Sequence, residues 1–395
     1  MSPLELFRTR VALIQAELIA RNLDGVLLHR VDNFAAATGG KRSYIWTYTD
    51  PGANALAITR DGKACFVGNN IERPRIEDEE LGGLADAYHD FLWTDGSPAD
   101  CVRRHYSGNW ASDDGSLGAN IHNELATARA LLTPVELDRY RALGRLASDA
   151  MTETLAGIAA GDTEADIAAA LVCAGQKRHC HVPVFLVAAD DRIAKYRHPL
   201  PTVAGLMGEG ASRKVVRYVM VVGCFLREGL VVSLTRFKQV DELPAGIAER
   251  FARICAVDAE VQEATRPGRN LGEVFADLQA AYLRHGFDAN EWHNHHQGGA
   301  TGYAGRTMKG APGNTFPCLD TDLPARAASL LGHSVPFGTA YAWNPSGPGV
   351  KSEDTFLLLP DGSTEIISAT PALPTVDLAS LLGRDTFVVK SNMAR

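Results

Sequence analysis

One order of elements occurs twice in this chain, and it limits the folds open to it. Thr133-Pro134-Val135-Glu136 reads as a helix start, with Thr as N-cap, Pro in the first turn and Glu three residues after the cap. The helix that follows keeps an apolar stripe through Leu137, Leu143, Leu146, Met151, Leu155 and Ile158. Gly161-Asp162-Thr163 breaks it, a second helix carries Ile167, Leu171 and Ala174 on one face, and strand-like runs follow at 182–188, 215–222 and 230–235. The order then returns. A long helix over 245–264 (Ile247, Phe251, Ile254, Val261) meets Pro267-Gly268, a second helix carries Leu271, Phe275, Leu278 and Tyr282, and strands follow. Residue identity between the repeats is weak, but their lengths are similar. The pattern predicts two pseudo-symmetric α/β halves closing around one cleft, with a shared site fed by strand ends and loops from both.

The residues before the repeat carry their own core. Residues 4–22 read as an amphipathic helix, with Leu6, Val11, Ile14, Leu18 and Ile19 at helical spacing. Gly25–His29 is a short buried strand, the segment Asp32–Arg42 reads as a turn-rich loop, and strands 54–59 and 64–67 flank the turn Arg60-Asp61-Gly62. The fold class expected is therefore α/β (α+β), with an N-terminal α/β domain over 1–130 and a second domain over 131–395.

Composition removes several function classes. The formal net charge of −8 comes without a basic stripe, which argues against a nucleic-acid partner. No apolar run is long enough to span a bilayer, and Met1–Phe7 lacks the layout of a signal peptide. Seven scattered cysteines, without Cys-x-x-Cys spacing, suit reduced thiols and a cytoplasmic location. Cys318 reads as an inert thiol because no paired base is in view. Neither a Walker loop nor a Gly-x-Gly-x-x-Gly after a strand is present, so no nucleotide cofactor is expected.

The stretch Glu291–Arg306 concentrates the chemistry. His293, His295 and His296 lead into Gly298, Gly299 and Gly302, and Arg306 closes the run. Glycines let backbone approach a ligand, and imidazoles carry protons near neutral pH. Arg306 suits a carboxylate clamp, because a planar guanidinium grips two oxygens at once. Glu291, His293, His295 and His296 together also offer an alternative cluster for a metal.

The chain resembles the pita-bread family of metalloaminopeptidases, prolidases and creatine amidinohydrolases. The residues that carry the resemblance are Asn33–Gly40 and Asn70–Arg73 in the N-terminal part, then Tyr196–Pro201, Gly229–Arg236, the His-His-Gln-Gly-Gly run and Val350–Thr355, in that order. The peptidase branch of the family holds two divalent metals with two Asp, one His and two Glu. Here the second Asp, before an apolar residue and Thr-Arg, is Ser233, and the first, eleven residues earlier, is Val222. The matching place for His is Gly299, the Glu of a Glu-Pro pair is Asn344, and only the last Glu survives, as Glu353. One carboxylate cannot replace five ligands, so the resemblance implies loss of the dinuclear site.

The metal-free creatinase branch offers the other precedent. By that resemblance His198 takes the place of the proton-carrying histidine and Glu353 that of one substrate-holding carboxylate, while the second carboxylate's place is Thr235. His295 matches a position that contacts substrate or a developing oxyanion. His296, Gln297 and Asn344 fall where they would line the emptied metal pocket or the substrate site. Arg42 and Tyr44 lie on an N-domain loop of the kind that reaches a neighbouring subunit's active site in this family.

The expectation is a cytoplasmic homodimeric enzyme with no metal or other cofactor. It would use His198, Glu353 and His295 to cleave a C–N bond, or drive a related elimination or rearrangement, in a small nitrogenous amino-acid derivative. The alternatives are a metal-dependent Xaa-Pro aminopeptidase or dipeptidase with an atypical metal site, ranked second, and a non-catalytic binding protein, ranked third.

Overall fold

The computed structural model describes all residues except 48, 203–211, 304, 306–307, 384–388, 392 and 395. Helix α1 (Pro3–Ala20) starts on a reciprocal cap, in which Glu5 N–H donates to Ser2 Oγ and Ser2 N–H donates to the Glu5 carboxylate at 2.6 Å. Such a cap contributes about 1 kcal/mol. The helix buries Phe7, Val11, Ile14 and Leu18 against Val26, Leu28 and Phe34.

Beside it lies a five-stranded sheet of β1 (Gly25–Arg30), β2 (Pro51–Thr59), β3 (Ala64–Asn69), β4 (Ala87–Phe91) and β5 (Trp110–Ser112), in the order β4-β3-β2-β1-β5. The segment read as a loop after β1 is instead helix α2 (Val31–Thr38). Ala35, Ala36 and Ala37 are strong helix formers, and Gly39 ends the helix at φ 67°.

The repeated order is realised as two layers of helix on sheet. The first half has α3 (Pro134–Ala156), α4 (Glu164–Lys177) and the antiparallel strands β6 (His181–Ala189), β7 (Tyr218–Arg227) and β8 (Leu230–Gln239). The predicted cap is present: Thr133 N–H donates to Glu136 Oε2 at 2.8 Å, and Glu136 N–H donates back to Thr133 Oγ1. The second half has α5 (Ile247–Ala264), α6 (Leu271–Arg284), β9 (Gly298–Thr301), β10 (Met308–Lys309), α7 (Asp322–Leu331), β11 (Thr339–Trp343), β12 (Ser346–Gly347), β13 (Val350–Lys351), β14 (Asp354–Leu358) and β15 (Thr364–Ile366). Its main sheet is antiparallel, in the order β10-β9-β11-β14-β15.

The two sheets meet along β8. Ser233 N–H donates to Thr355 Oγ1 at 2.9 Å, Thr235 N–H to Glu353 O at 3.2 Å, and Val231 N–H to Gly302 O at 3.1 Å. The pairings of β1–β5 all lie before residue 113, and those of β6–β15 all lie after 180. The two parts are joined by apolar packing of Ala12, Leu13 and Ala16 on Leu323, Ala327 and Phe337. Buried Arg10 reinforces the joint by donating to the carbonyls of Ala36, Ala128 and Leu131.

Register fixes where the site lies. Trp343 pairs with Gly298 on one side and with Asp354 on the other. The residues just before β9, just after β11 and just before β14 therefore share one end of the sheet. Those residues are His295–Gln297, Asn344 and Glu353.

Candidate active site

His198 sits in a bend after the one-turn helix Asp191–Lys195, immediately before buried Pro199. His295 and His296 follow the 3-10 turn Glu291–Asn294. Although 97 residues separate them, His198 and His295 meet with their Nε2 atoms 3.0 Å apart. His296 completes the group, with ring centroids 5.1 Å from His198 and 4.5 Å from His295. A nitrogen from each ring falls within 4.8 Å of the others. Among the described residues no other three His, Cys, Asp or Glu side chains bring ligand atoms together in this way.

Two Nε2 atoms at hydrogen-bond distance cannot both carry protons toward each other, so one donates and one accepts, or a cation lies between them. The pair is thus set either to pass a proton or to bind a cation.

The backbone around the cluster is braced. Gln297 Nε2 donates to His295 O at 2.6 Å and to Trp292 O at 3.0 Å, while its Oε1 accepts from Tyr282 Oη at 2.8 Å. The Gln297 side chain thereby spends its amide on holding the histidine segment. Trp292 packs edge-on against Phe275. Arg197, next to His198, forms an ion pair with Glu291, and this ties the two histidine-bearing segments together. Sequence reasoning missed Arg197; its place beside His198 in Tyr196-Arg197-His198 was the available signal.

The metal cluster envisaged at Glu291–His296 is assembled differently. The 3-10 turn directs Glu291 onto Arg197 and sets the His293 ring against Trp292, 3.8 Å between centroids. His198 takes their place beside His295 and His296.

Glu353 occupies a separate corner at the same strand end. Its Oε2 accepts from Thr235 Oγ1 at 2.7 Å and lies 3.0 Å from Lys351 Nζ, and its Oε1 accepts from Asn344 Nδ2 at 3.4 Å. Glu353, Lys351 and Asn344 are all almost fully buried. Behind them Asp354 meets Arg236 at 2.6 Å, and Asp258 meets Lys390 at 2.8 Å. Burial pushes the Asp354 carboxyl up, but the Arg236 and Lys390 charges together outweigh it and hold the group below its ordinary range.

The dinuclear metal site of the peptidase branch does not fit these residues. Val222 is part of the apolar core, and the Ser233 hydroxyl is engaged with Cys224 Sγ at 3.2 Å. At Gly299, where φ is 143°, a Cβ would stand 2.3 Å from Met308 O, so no histidine can occupy that position without moving the backbone. Glu353, the one carboxylate of the set, already faces an ammonium.

The N-domain candidates lie elsewhere. Arg42 donates from Nε to Glu80 Oε1 at 2.7 Å, and burial pushes the Tyr44 phenol up. Both line a cavity of about 400 Å³ with Lys41, Asp32, His122 and Pro183, and none of the three clustered histidines lines it. Arg306 lies outside the described residues. None of the seven cysteines forms a disulfide, and burial pushes the Cys318 thiol up to about 11. No described helix is long and apolar enough to cross a membrane.

No protein-family model matches the chain, and no curated protein sequence matches it. Solved structures do. Dipeptidase PepE from Mycobacterium ulcerans superposes with a TM-score of 0.70 at 17% identity, covering 94% of this chain and 98% of that one. The Xaa-Pro dipeptidase from Bacillus anthracis gives 0.66 at 15% identity over the same shares. The N-terminal domain of FACT complex subunit SPT16 from chickpea gives 0.64 at 10% identity, covering 93% and 97%. The chain therefore has the pita-bread fold across nearly its whole length. The expected α/β class and fold are borne out, while the fold alone leaves the reaction open.

Proposed function

We propose that this protein hydrolyses a C–N bond in a small peptide- or amide-like amino-acid derivative, with the chemistry centred on His198, His295 and His296. The observation that carries the reading is the 3.0 Å approach of His198 Nε2 to His295 Nε2 at the strand end where the two halves meet. Exposed His198 takes a proton from the attacking water and returns it to the leaving nitrogen. His295 is its hydrogen-bond partner, fixing the ring and its tautomer. His296 contacts the substrate beside them. Glu353, set by Thr235, Lys351 and Asn344, supplies a charged corner that orients the substrate. Arg42, Tyr44 and Arg306 are second-rank candidates for holding it. No step uses the dinuclear metal pair, because the residues for it do not fit.

Sequence reasoning ranked an Xaa-Pro peptidase second, below an enzyme acting on a small nitrogenous amino-acid derivative. The fold neighbours favour the reverse order, since a dipeptidase and an Xaa-Pro dipeptidase are among them. Dipeptides, with Xaa-Pro among them, are the first substrates to test, followed by amide, ureido and guanidino amino acids. In this reading the partner is a small molecule and the working form is a cytoplasmic homodimer. Release of a free amino acid from at least one of these classes is the expected result. Saturable binding of such compounds without turnover would favour a non-catalytic role on the same fold.

A further inference from the structure

The three imidazoles suit a task beyond proton transfer. We propose that His198, His295 and His296 bind one divalent transition-metal ion of the zinc class, in a mononuclear site that uses none of the five positions equivalent to the peptidase ligands. The inference rests on the hydrolytic reading above for the bond cleaved, but changes the role of His198 in it, because a ring nitrogen bonded to an ion cannot also carry the proton. Its geometric basis is independent of that reading.

Tetrahedral zinc holds imidazole nitrogens at about 2.0–2.1 Å, which sets them roughly 3.3–3.4 Å apart. His198 and His295 already stand at 3.0 Å, and all three ligand atoms lie within 4.8 Å. His296 completes the set once its ring nitrogen, within 4.8 Å of the other two, closes to that spacing. The three rings come from two segments, and each segment is held from behind. The Arg197–Glu291 ion pair fixes the bend that carries His198, and the Gln297 amide grips the His295 carbonyl. Support of this kind orients metal-binding histidines, and its loss weakens affinity.

The donor set also selects the ion. Three neutral imidazoles suit zinc, cobalt, nickel or copper, whereas magnesium and calcium need oxygen ligands. Among the described residues no carboxylate joins the group. Three protein ligands with an exposed member, His198, leave a fourth position for water, the arrangement of open rather than structural zinc sites. A bound ion would supply a water acidified for attack at neutral pH.

The test uses the full chain, stripped with a chelator. Zn²⁺ is titrated by calorimetry, and Co²⁺ is followed by its visible absorption. The proposal predicts one ion per chain and the intense absorption of four-coordinate Co²⁺. It also predicts affinity reduced by at least roughly 10–100-fold, the cost of losing even a supporting group, in both His198→Ala and His295→Ala. His333→Ala, on the exposed surface, should bind like the wild type. Thermal melts confirm that each variant is folded.

Lack of saturable binding in the wild type, or equal binding by a His295→Ala/His296→Ala double variant, would overturn the site. Hydrolysis is measured on the same samples. Turnover by stripped protein that binds no metal sinks the metal site and leaves the hydrolase reading standing. Metal binding without turnover of any substrate class does the reverse.

Discussion

At the scale of single residues, the account separates groups that react from groups that hold. His198 is exposed, so His198→Ala should leave the melting temperature unchanged while lowering kcat by roughly 10²–10⁴, the range for a general acid–base group. Lys351 behaves oppositely. It is 4% exposed and faces Glu353, itself 2% exposed. Lys351→Met would leave a buried carboxylate without its counter-charge, at a cost of about 3–5 kcal/mol in urea unfolding. The Lys351→Met/Glu353→Gln double variant should recover much of that loss. If Lys351→Met alone costs nothing, the pair is not a buried ionic contact.

The types of the candidate residues were legible, because three histidines close together before glycines are rare chemistry for a surface turn. Their grouping was not. The meeting of His198 with His295 is a tertiary contact that no local periodicity encodes. Glu291 and His293 looked like cluster members only because they are near in sequence.

At the scale of elements, the two histidine segments are held by contacts that can be loosened one at a time. Arg197 and Glu291 are mostly buried, and their ion pair joins the bend to the 3-10 turn. Arg197→Met should lower kcat by roughly 10–100-fold through misplacement of His198, and should also lower the melting temperature, because it leaves the mostly buried Glu291 without its counter-charge. An unchanged kcat would show that the bend keeps its place without the ion pair.

A pH effect belongs to the N-terminal element pair β1 and α2. Asp113 accepts from His29 N–H, Arg30 N–H and Asn33 Nδ2, yet burial raises its carboxyl from 3.8 to about 6. The folded state therefore binds this proton more tightly than the unfolded chain. The resulting stability is full below pH ~4 and is lost as pH rises through about 6; it amounts to roughly 3 kcal/mol for a shift of that size. Asp113→Asn should remove that slope from a plot of unfolding free energy against pH. An identical slope in the variant would mean that Asp113 titrates normally. The helix α2 beside it was misread as a loop, because Asp32-Asn33 and Gly39-Gly40 carry turn chemistry at both ends of the alanine run. Packing of Phe34 into the core and the left-handed cap at Gly39 decide for helix.

At the scale of the whole molecule, the duplicated order of helices and strands was enough to read the architecture, because capping residues and apolar stripes are local signals. The joining of the halves along β8, and the end of the sheet on which residues converge, follow from register, which sequence alone leaves free. Arg42 and Tyr44 mark the same limit. They line the cavity between the N-terminal part and the β7–β8 turn, which none of the three clustered histidines lines. Exposed Ile45 and Trp46 lie on the same loop, as expected of a segment that packs on a second copy. Sedimentation equilibrium should give a dimer that Trp46→Ser weakens, and a monomer at every concentration would remove the subunit-sharing role of Arg42 and Tyr44.

The central claim is that His198 and His295 work as one unit in C–N bond hydrolysis. It is tested most directly by kcat for His198→Ala, His295→Ala and the double variant, on whichever dipeptide or amide the wild type turns over. If the pair acts together, each single variant loses most of the activity and the double variant is scarcely worse than the weaker single. Full activity in either single variant, or losses that simply multiply in the double, would contradict it.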